Sequence, residues 1–291
     1  MNILDLIMEK QDFVASSPGQ FYISGLRTHF DGIDKVLNGF QKGSLIILGG
    51  RPAMGKTTLA LNIAENICFE EKKPVAIFSF AMSAENIVQR VIASRAEVET
   101  DKILKGSVDT PEFHRMVSCI KHMENYSCFI EDTQNISIID IVEGIRALKS
   151  NSNIEFVLID YLQLITGIKG KFYQNRYEEV ADITRILKSI ALETEIPILC
   201  ISQLSRKVEE RAGHRPMLTD LLDSGSIEQD ADVVMFLLRR EYYDPNDRPG
   251  QAEIIIAKNR HGPLDCVKLN FQREIPKFLN CAKQEFGLSF D

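Results

Sequence analysis

Gly50-Arg51-Pro52-Ala53-Met54-Gly55-Lys56-Thr57, GRPAMGKT in one-letter code, stands just behind the apolar run Leu45, Ile46, Ile47, Leu48. It meets every fixed position of the G-x-x-x-x-G-K-[ST] phosphate-binding loop, in the strand-to-helix setting that loop requires. Leu59, Ala60, Ile63, Ala64 and Ile67 continue at helical spacing. The backbone N–H groups of the loop therefore converge on a helix N-terminus, where unpaired donors and the helix dipole favour an anion. On this reading Gly50 to Thr58 cradle phosphate, Lys56 reaches the β and γ groups, and the Thr57 hydroxyl serves Mg²⁺.

Outward from the loop, short β-rich runs alternate with helical patterns: Leu45 to Leu48, Val75 to Phe80, Phe129 to Ile130, Phe156 to Ile159, Ile198 to Ile201 and Val233 to Leu238. Such alternation implies crossover units, an α/β fold with a mainly parallel sheet flanked by helices. Two later runs, Ala252 to Ala257 and Cys266 to Phe271, are separated by KNRHGPLD, whose Asn259, Gly262 and Pro263 form turns. They predict an antiparallel hairpin at the C-terminal edge of the sheet. With 291 residues, 44% of them hydrophobic, the chain can bury a full core. No linker composition divides residues 21–291, so they read as one domain. Residues 1–20 stand apart: Ile3, Leu4, Ile7 and Phe13 stripe a short helix, and Ser16, Ser17, Pro18 and Gly19 form a linker. The stripe either frays or is buried elsewhere, and a docking helix on a neighbouring subunit is the expectation adopted.

The net charge of -7 argues against a protein coated in basic residues, while leaving room for local basic loops that grip a nucleic acid. Cys68, Cys119, Cys128, Cys200, Cys266 and Cys281 show neither C-x-x-C pairs nor metal-ligand spacing. They are expected to be reduced, mostly buried thiols of a cytosolic protein. The start, MNILDLIMEK, carries Asp5 and Glu9 and lacks a basic leader pattern, and runs such as Val233 to Leu238 are too short to span a bilayer. A cytoplasmic protein with no membrane partner is the expectation.

Two strand ends carry polar groups. Phe156 to Ile159 run into Asp160, which puts a carboxylate where open α/β sheets gather ligands. Mg²⁺ on a nucleotide needs such a carboxylate beside the Thr57 hydroxyl, directly or through water. Ile198 to Ile201 lead into Ser202 and Gln203, and an amide at that place can sense the γ-phosphate or orient water.

Five strings carry a resemblance: GRPAMGKT, IDYLQL at Ile159 to Leu164, SQLSR at Ser202 to Arg206, DSGSIEQDAD at Asp223 to Asp232 and IIIAKNRHGP at Ile254 to Pro263. From about Gly25 to about Phe278 the chain resembles the C-terminal motor domain of the DnaB family of hexameric replicative DNA helicases. The resemblance implies a RecA-like P-loop ATPase in a six-membered ring, with ATP and Mg²⁺ between subunits and single-stranded DNA in the centre. One subunit would supply Lys56, Thr57 and Asp160. A neighbour would insert Lys258 and Arg260, at the tip of the predicted hairpin, as basic fingers that stabilise charge on the transferring phosphoryl. DNA contact would come from Lys169, Lys171 and Arg176, from Arg206, Lys207, Arg211 and Arg215, and from Asp223 and Gly225. Both basic loops follow strand ends on the nucleotide side of the sheet. Primase and a helicase loader are partners implied for a full-length form.

The chain also departs from the pattern. Where the family reads S-L-E-M, with a Glu that polarises the attacking water, this sequence has Ser79, Phe80, Ala81, Met82. A methyl group cannot accept a proton, so the catalytic position is occupied by Ala81, and Glu85, one helical turn on, is no substitute. Leu222 stands where the family commonly has Arg near the DNA backbone. The family's N-terminal collar domain is not expected within these residues, either because they are a piece of a longer protein or because the natural protein lacks a collar. The expectation is a helicase motor that binds ATP but hydrolyses it poorly. The alternative is a catalytically inactive ATP- and DNA-binding regulator or loader of a helicase ring, and another RecA-like ATPase is the more distant rival.

Overall fold

A computed structural model describes residues 22–222 and 224–281. The proposed docking helix and linker at residues 1–20 lie outside them. In the described residues nine strands form one sheet, in the order β3-β2-β4-β5-β1-β6-β7-β8-β9. They are β1 Leu45–Gly50, β2 Val75–Ser79, β3 Cys128–Glu131, β4 Phe156–Asp160, β5 Ile198–Gln203, β6 Val233–Leu238, β7 Gln251–Asn259, β8 Asp265–Gln272 and β9 Lys277–Asn280. The first six pair in parallel, and β6 through β9 pair antiparallel. This is the mainly parallel α/β sheet the alternating pattern predicts.

The helices are α1 Asp31–Leu37, α2 Lys56–Phe69, α3 Ala84–Ala96, α4 Thr100–Lys105, α5 Thr110–Met123, α6 Ile138–Ser152, α7 Arg176–Thr194 and α8 Ser224–Asp230. Successive residues of a strand point to opposite faces. Ile46 and Leu48 therefore join Leu59, Ile63 and Ile67 of α2 in one core, while Leu45 and Ile47 join Ile145 of α6 and Ile183 and Leu187 of α7 in the other. Burial on both faces is why the central strands read as continuous apolar runs rather than as alternating ones.

Two sequence expectations need correction. The β7–β8 hairpin exists, but it is not the edge, because β9 pairs outside β8 through Leu269↔Asn280 and Phe271↔Phe278. Only four residues long, KFLN lacks a pattern of its own; it is fixed by tertiary contacts. Phe278 is buried against Phe271, ring centroids 4.7 Å apart, and its N–H donates to Asn62 Oδ1 of α2 at 2.8 Å. Nor are the cysteines mostly buried. All six are free, but only Cys68 and Cys200 are buried, whereas Cys128 and Cys281 are exposed. Cys128 begins β3, an outer strand with one open side.

The helix behind the phosphate loop carries a buried acid. Glu65 of α2 accepts a hydrogen bond from Ser94 Oγ at 3.0 Å, and burial raises its carboxyl from 4.5 to about 8 against the pull of Ser94 and Arg95. The folded state therefore holds a proton that the unfolded chain releases. That stability is fully present below the unfolded value of 4.5 and is lost as pH rises to about 8. Glu65→Gln, which never ionises, should be more stable than the parent by on the order of a few kcal/mol at pH 8, the gap closing towards pH 4.5. Urea unfolding across that range checks it, and parallel pH curves for the two proteins would refute it.

Candidate functional site

The phosphate loop leaves the C-terminal end of β1, the strand flanked by β5 and β6. Gly50 is favoured by close approach, since a Cβ there would lie 3.1 Å from Lys56 Cγ and 3.2 Å from the Leu237 carbonyl. Gly55 has φ +96°, a left-handed conformation, and its α-carbon faces the Phe278 ring. These two glycines let the chain turn back so that α2 begins at Lys56.

Lys56 and Thr57 are the first residues of that helix. Lys56 Nζ donates to the Arg51 carbonyl at 3.0 Å, and burial pushes its ammonium down to about 8, only partly offset by Asp160. Thr57 Oγ1 donates to Asp160 Oδ2 at 2.7 Å. Asp160 is buried, which raises its carboxyl, while the Thr57 hydroxyl and the Lys56 charge hold it down. A hydroxyl and a carboxylate oxygen side by side are hard donors of the kind Mg²⁺ takes while keeping most of its water.

Around them opens a cleft of about 760 Å³. Lys56, Arg90, Arg239 and Arg273 line it against a single carboxylate, Glu241, beside the Thr57 and Thr58 end of the loop. Such a balance suits a polyanion. Arg239 also lies over the Phe271 ring at 3.9 Å, and Phe271 and Tyr242 supply flat apolar walls. Sequence reasoning missed Arg90, Arg239 and Arg273. Arg239 was within reach, since it follows directly on β6 just as Asp160 and Gln203 end β4 and β5; Arg273 arrives only through the β8 end, a tertiary placement.

Gln203 sits in register with Gly50, one strand from the phosphate loop. Its backbone N–H donates to Gln163 Oε1 at 3.1 Å, and Gln163 Nε2 donates to Ser202 Oγ at 2.9 Å, so a second glutamine fixes this strand end. Ala81 is exposed two residues beyond β2, where Ser79 pairs with Asp160 and the Phe80 N–H donates to the Asp160 carbonyl at 2.8 Å. The structure thus brings residue 81 to the same rim as the Thr57–Asp160 pair, carrying only a methyl group. Glu85 lies in the exposed first turn of α3 and accepts from Gln89 at 3.3 Å.

Lys258 and Arg260 are not with this group. β7 is antiparallel, and Val233↔Asn259 aligns its end with Ile46, at the start of β1. They therefore lie at the opposite end of the sheet from the phosphate loop. Lys258 is also not at the hairpin tip but inside β7, where its ammonium caps the last turn of α8 on the carbonyls of Glu228 at 2.5 Å and Ala231 at 2.6 Å. Arg260, in the turn, reaches Asp232 at 3.1 Å and the Gln229 carbonyl at 3.1 Å, with 45% of its side chain exposed.

The basic loops do rise from the C-terminal ends of β4 and β5, on the phosphate side, but most of their charge is engaged. Lys169 pairs with Asp140, Lys171 with Asp182, Arg211 with Asp220 and Arg215 with Glu253. Arg176 opens α7, pairs with Glu179 and donates to the Ile165 carbonyl at 3.0 Å, an internal brace. Arg206 and Lys207 are exposed, and among the described residues neither side chain has an ion-pair partner. Asp223 lies outside the described residues. Gly225, at the start of α8, packs closely on this region: a Cβ would sit 2.7 Å from the Tyr177 hydroxyl. The first turns of α7 and α8 thus meet at Gly225.

Comparison with known proteins bears on the family and the fold. Residues 25–280 match the family described as DnaB-like helicase C terminal domain. The chain is 39% identical over 287 residues to the replicative DNA helicase DnaB of Geobacillus stearothermophilus and 40% identical over 285 residues to the replicative DNA helicase DnaC of Bacillus subtilis (strain 168). Each match covers 97% of this chain and 63% of the relative, so the chain spans a little under two thirds of those proteins. Among solved structures, an isolated ATPase domain superposes with a TM-score of 0.87 at 31% identity, covering 97% of this chain and 99% of that one. A DnaB-like replicative helicase, described with its interactions with primase, superposes at 0.85 and 31% identity, covering 97% of this chain and 67% of that one.

Proposed function

The chain belongs to the DnaB-like helicase C-terminal domain family, and on that premise we propose that it is the ATP-driven motor of a replicative helicase ring. It translocates on single-stranded DNA and unwinds duplex DNA. As written it holds ATP far better than it hydrolyses it. Residues 21–291 are assigned to the motor, and the docking helix and linker expected at residues 1–20 lie outside the described residues.

The observation that carries this reading is the Thr57–Asp160 pair beside Lys56 in a cleft of net positive charge. Gly50 to Thr58 would hold the phosphates, with Mg²⁺ at Thr57 and Asp160 supplying positive charge against the phosphate oxygens. Burial of the Lys56 ammonium favours a phosphate partner, because an anion restores what desolvation removes. Gln203 would sense the γ-phosphate. Arg206 and Lys207 would give the first grip on the strand, with Lys169, Lys171, Arg211 and Arg215 contributing as their carboxylate pairs exchange for phosphates. Lys258 and Arg260, remote from their own loop, would act on a neighbour's nucleotide, which makes a ring the working form. A cytoplasmic location belongs to the same proposal, as do primase and a loader as partners of a full-length form.

Lys56→Ala should weaken binding of a fluorescent ATP analogue by about 10²-fold, the loss of a charge-assisted contact worth about 3 kcal/mol, with the fold intact by circular dichroism. Unchanged affinity would remove the phosphate-loop assignment. A second reading, an inactive ATP- and DNA-binding regulator or loader, is favoured by Ala81 alone. It requires that restoring a carboxylate at position 81 leaves turnover absent.

A further inference from the structure

Arg51 is the second residue of the phosphate loop, yet its guanidinium reaches another segment. Nη1 donates to the Leu204 carbonyl at 2.8 Å, and Nε and Nη2 lie 2.9 and 2.8 Å from Glu209 Oε1. The Arg51 side chain is only 12% exposed. Leu204 and Glu209 bracket the stretch that carries Arg206 and Lys207, the two basic loop residues with no ion-pair partner among those described. At its other end, the Arg51 carbonyl accepts from Lys56 Nζ at 3.0 Å. One residue thus touches the ammonium that must meet phosphate and the segment that presents free charge to a strand.

Resting on the ATP- and DNA-binding reading above, we propose that Arg51 and Glu209 are positioning residues that couple nucleotide occupancy to the grip of residues 204–211 on single-stranded DNA. When Lys56 moves to a phosphate, the Arg51 carbonyl loses its donor and the loop backbone relaxes. A guanidinium fork held by a carboxylate and a carbonyl transmits direction, not merely attraction. β5, hydrogen-bonded along β1, anchors the near end of the segment at Gln203, so the displacement falls on the Arg206 and Lys207 side. The relation is reciprocal: a strand bound at Arg206 and Lys207 changes nucleotide affinity by the same factor.

The alternative is a plain staple, whose loss weakens the segment regardless of nucleotide. The test measures single-stranded DNA affinity by fluorescence anisotropy, with and without a non-hydrolysable ATP analogue, in the parent chain and in Glu209→Ala. In the parent the analogue should shift DNA affinity by about fivefold or more. In Glu209→Ala each ligand alone should bind within about twofold of the parent, while the shift falls below about twofold. Glu209→Gln, which keeps an acceptor for Arg51, should recover part of it. Amide exchange over residues 204–211 should respond to the analogue in the parent and not in Glu209→Ala. A shift of parental size in Glu209→Ala overturns the coupling role, as does an equal loss of DNA affinity in both nucleotide states. A parent that binds both ligands without any shift overturns it too. A parent that binds neither ligand removes instead the function from which the inference starts.

Discussion

Ala81→Glu should raise DNA-stimulated ATP turnover by about 10² to 10⁴, the range a positioned general base contributes. The surroundings needed by such a base are already assembled. The segment after β2 that carries residue 81 is tied to β4 through the Phe80 N–H and the Asp160 carbonyl. Asp160 in turn holds the Thr57 hydroxyl at the start of α2. A carboxylate at position 81 would enter a rim whose cleft is lined by Lys56, Arg90, Arg239 and Arg273. That positive field keeps a carboxylate ionised, as a base that takes a proton from water must be. Nucleotide affinity should change little, because the loop that binds phosphate is untouched. A restored carboxylate with no gain in turnover, in a protein that still binds ATP and DNA, would refute the assignment of position 81 and favour the inactive regulator.

In that activated background, Arg260→Ala should cost about 10³ to 10⁵ in turnover, some 4 to 7 kcal/mol of transition-state stabilisation. The sheet register gives the reason for expecting this to be a partner's loss. Arg260 lies beyond Asn259, which pairs with Val233 at the far end of the sheet from Gly50. No side-chain motion carries a guanidinium across five strand residues, roughly 16 Å, to its own phosphate loop. Mixing Arg260→Ala subunits with Lys56→Ala subunits, each inactive alone, should restore part of the activity. Some sites in the mixed ring then combine an intact phosphate loop with an intact Arg260 from next door. If no mixture recovers turnover although rings form by light scattering, the finger role in trans is wrong. Arg260 would then serve only its own chain, as the partner of Asp232 and the Gln229 carbonyl.

The phosphate loop was legible because its chemistry is local. Glycines at 50 and 55, a lysine and a threonine are adjacent in sequence, and the helix that uses them starts on the spot. Asp160 and Gln203 were legible for a related reason, each ending an apolar run on a strand parallel to β1. Arg90, Arg239 and Arg273 come from α3, the end of β6 and the end of β8. No spacing links them, and only the fold closes them around one cleft. β9 stayed hidden for the same cause, being four residues held by Asn62 and Phe271 rather than by any periodicity.

The basic loops teach the complementary lesson. Sequence counted seven cations in them; in the fold, Arg176 meets a carboxylate of its own helix, and Lys169, Lys171, Arg211 and Arg215 meet carboxylates on neighbouring elements. Charge alone does not say which side chains are free, because pairing depends on what packs beside them.

By itself, then, the sequence determined the parallel α/β sheet, the phosphate loop with a carboxylate at the end of a neighbouring strand, and the methyl group at position 81. Each is written in contiguous residues or in a burial period, which local physics can read. The tertiary structure alone decided which arginines face the cleft, which loop cations have no ion-pair partner among the described residues, and that Lys258 and Arg260 stand at the far end of the sheet from their own phosphate loop. Those are matters of distance between residues far apart in the chain, and distance is set only when the sheet closes.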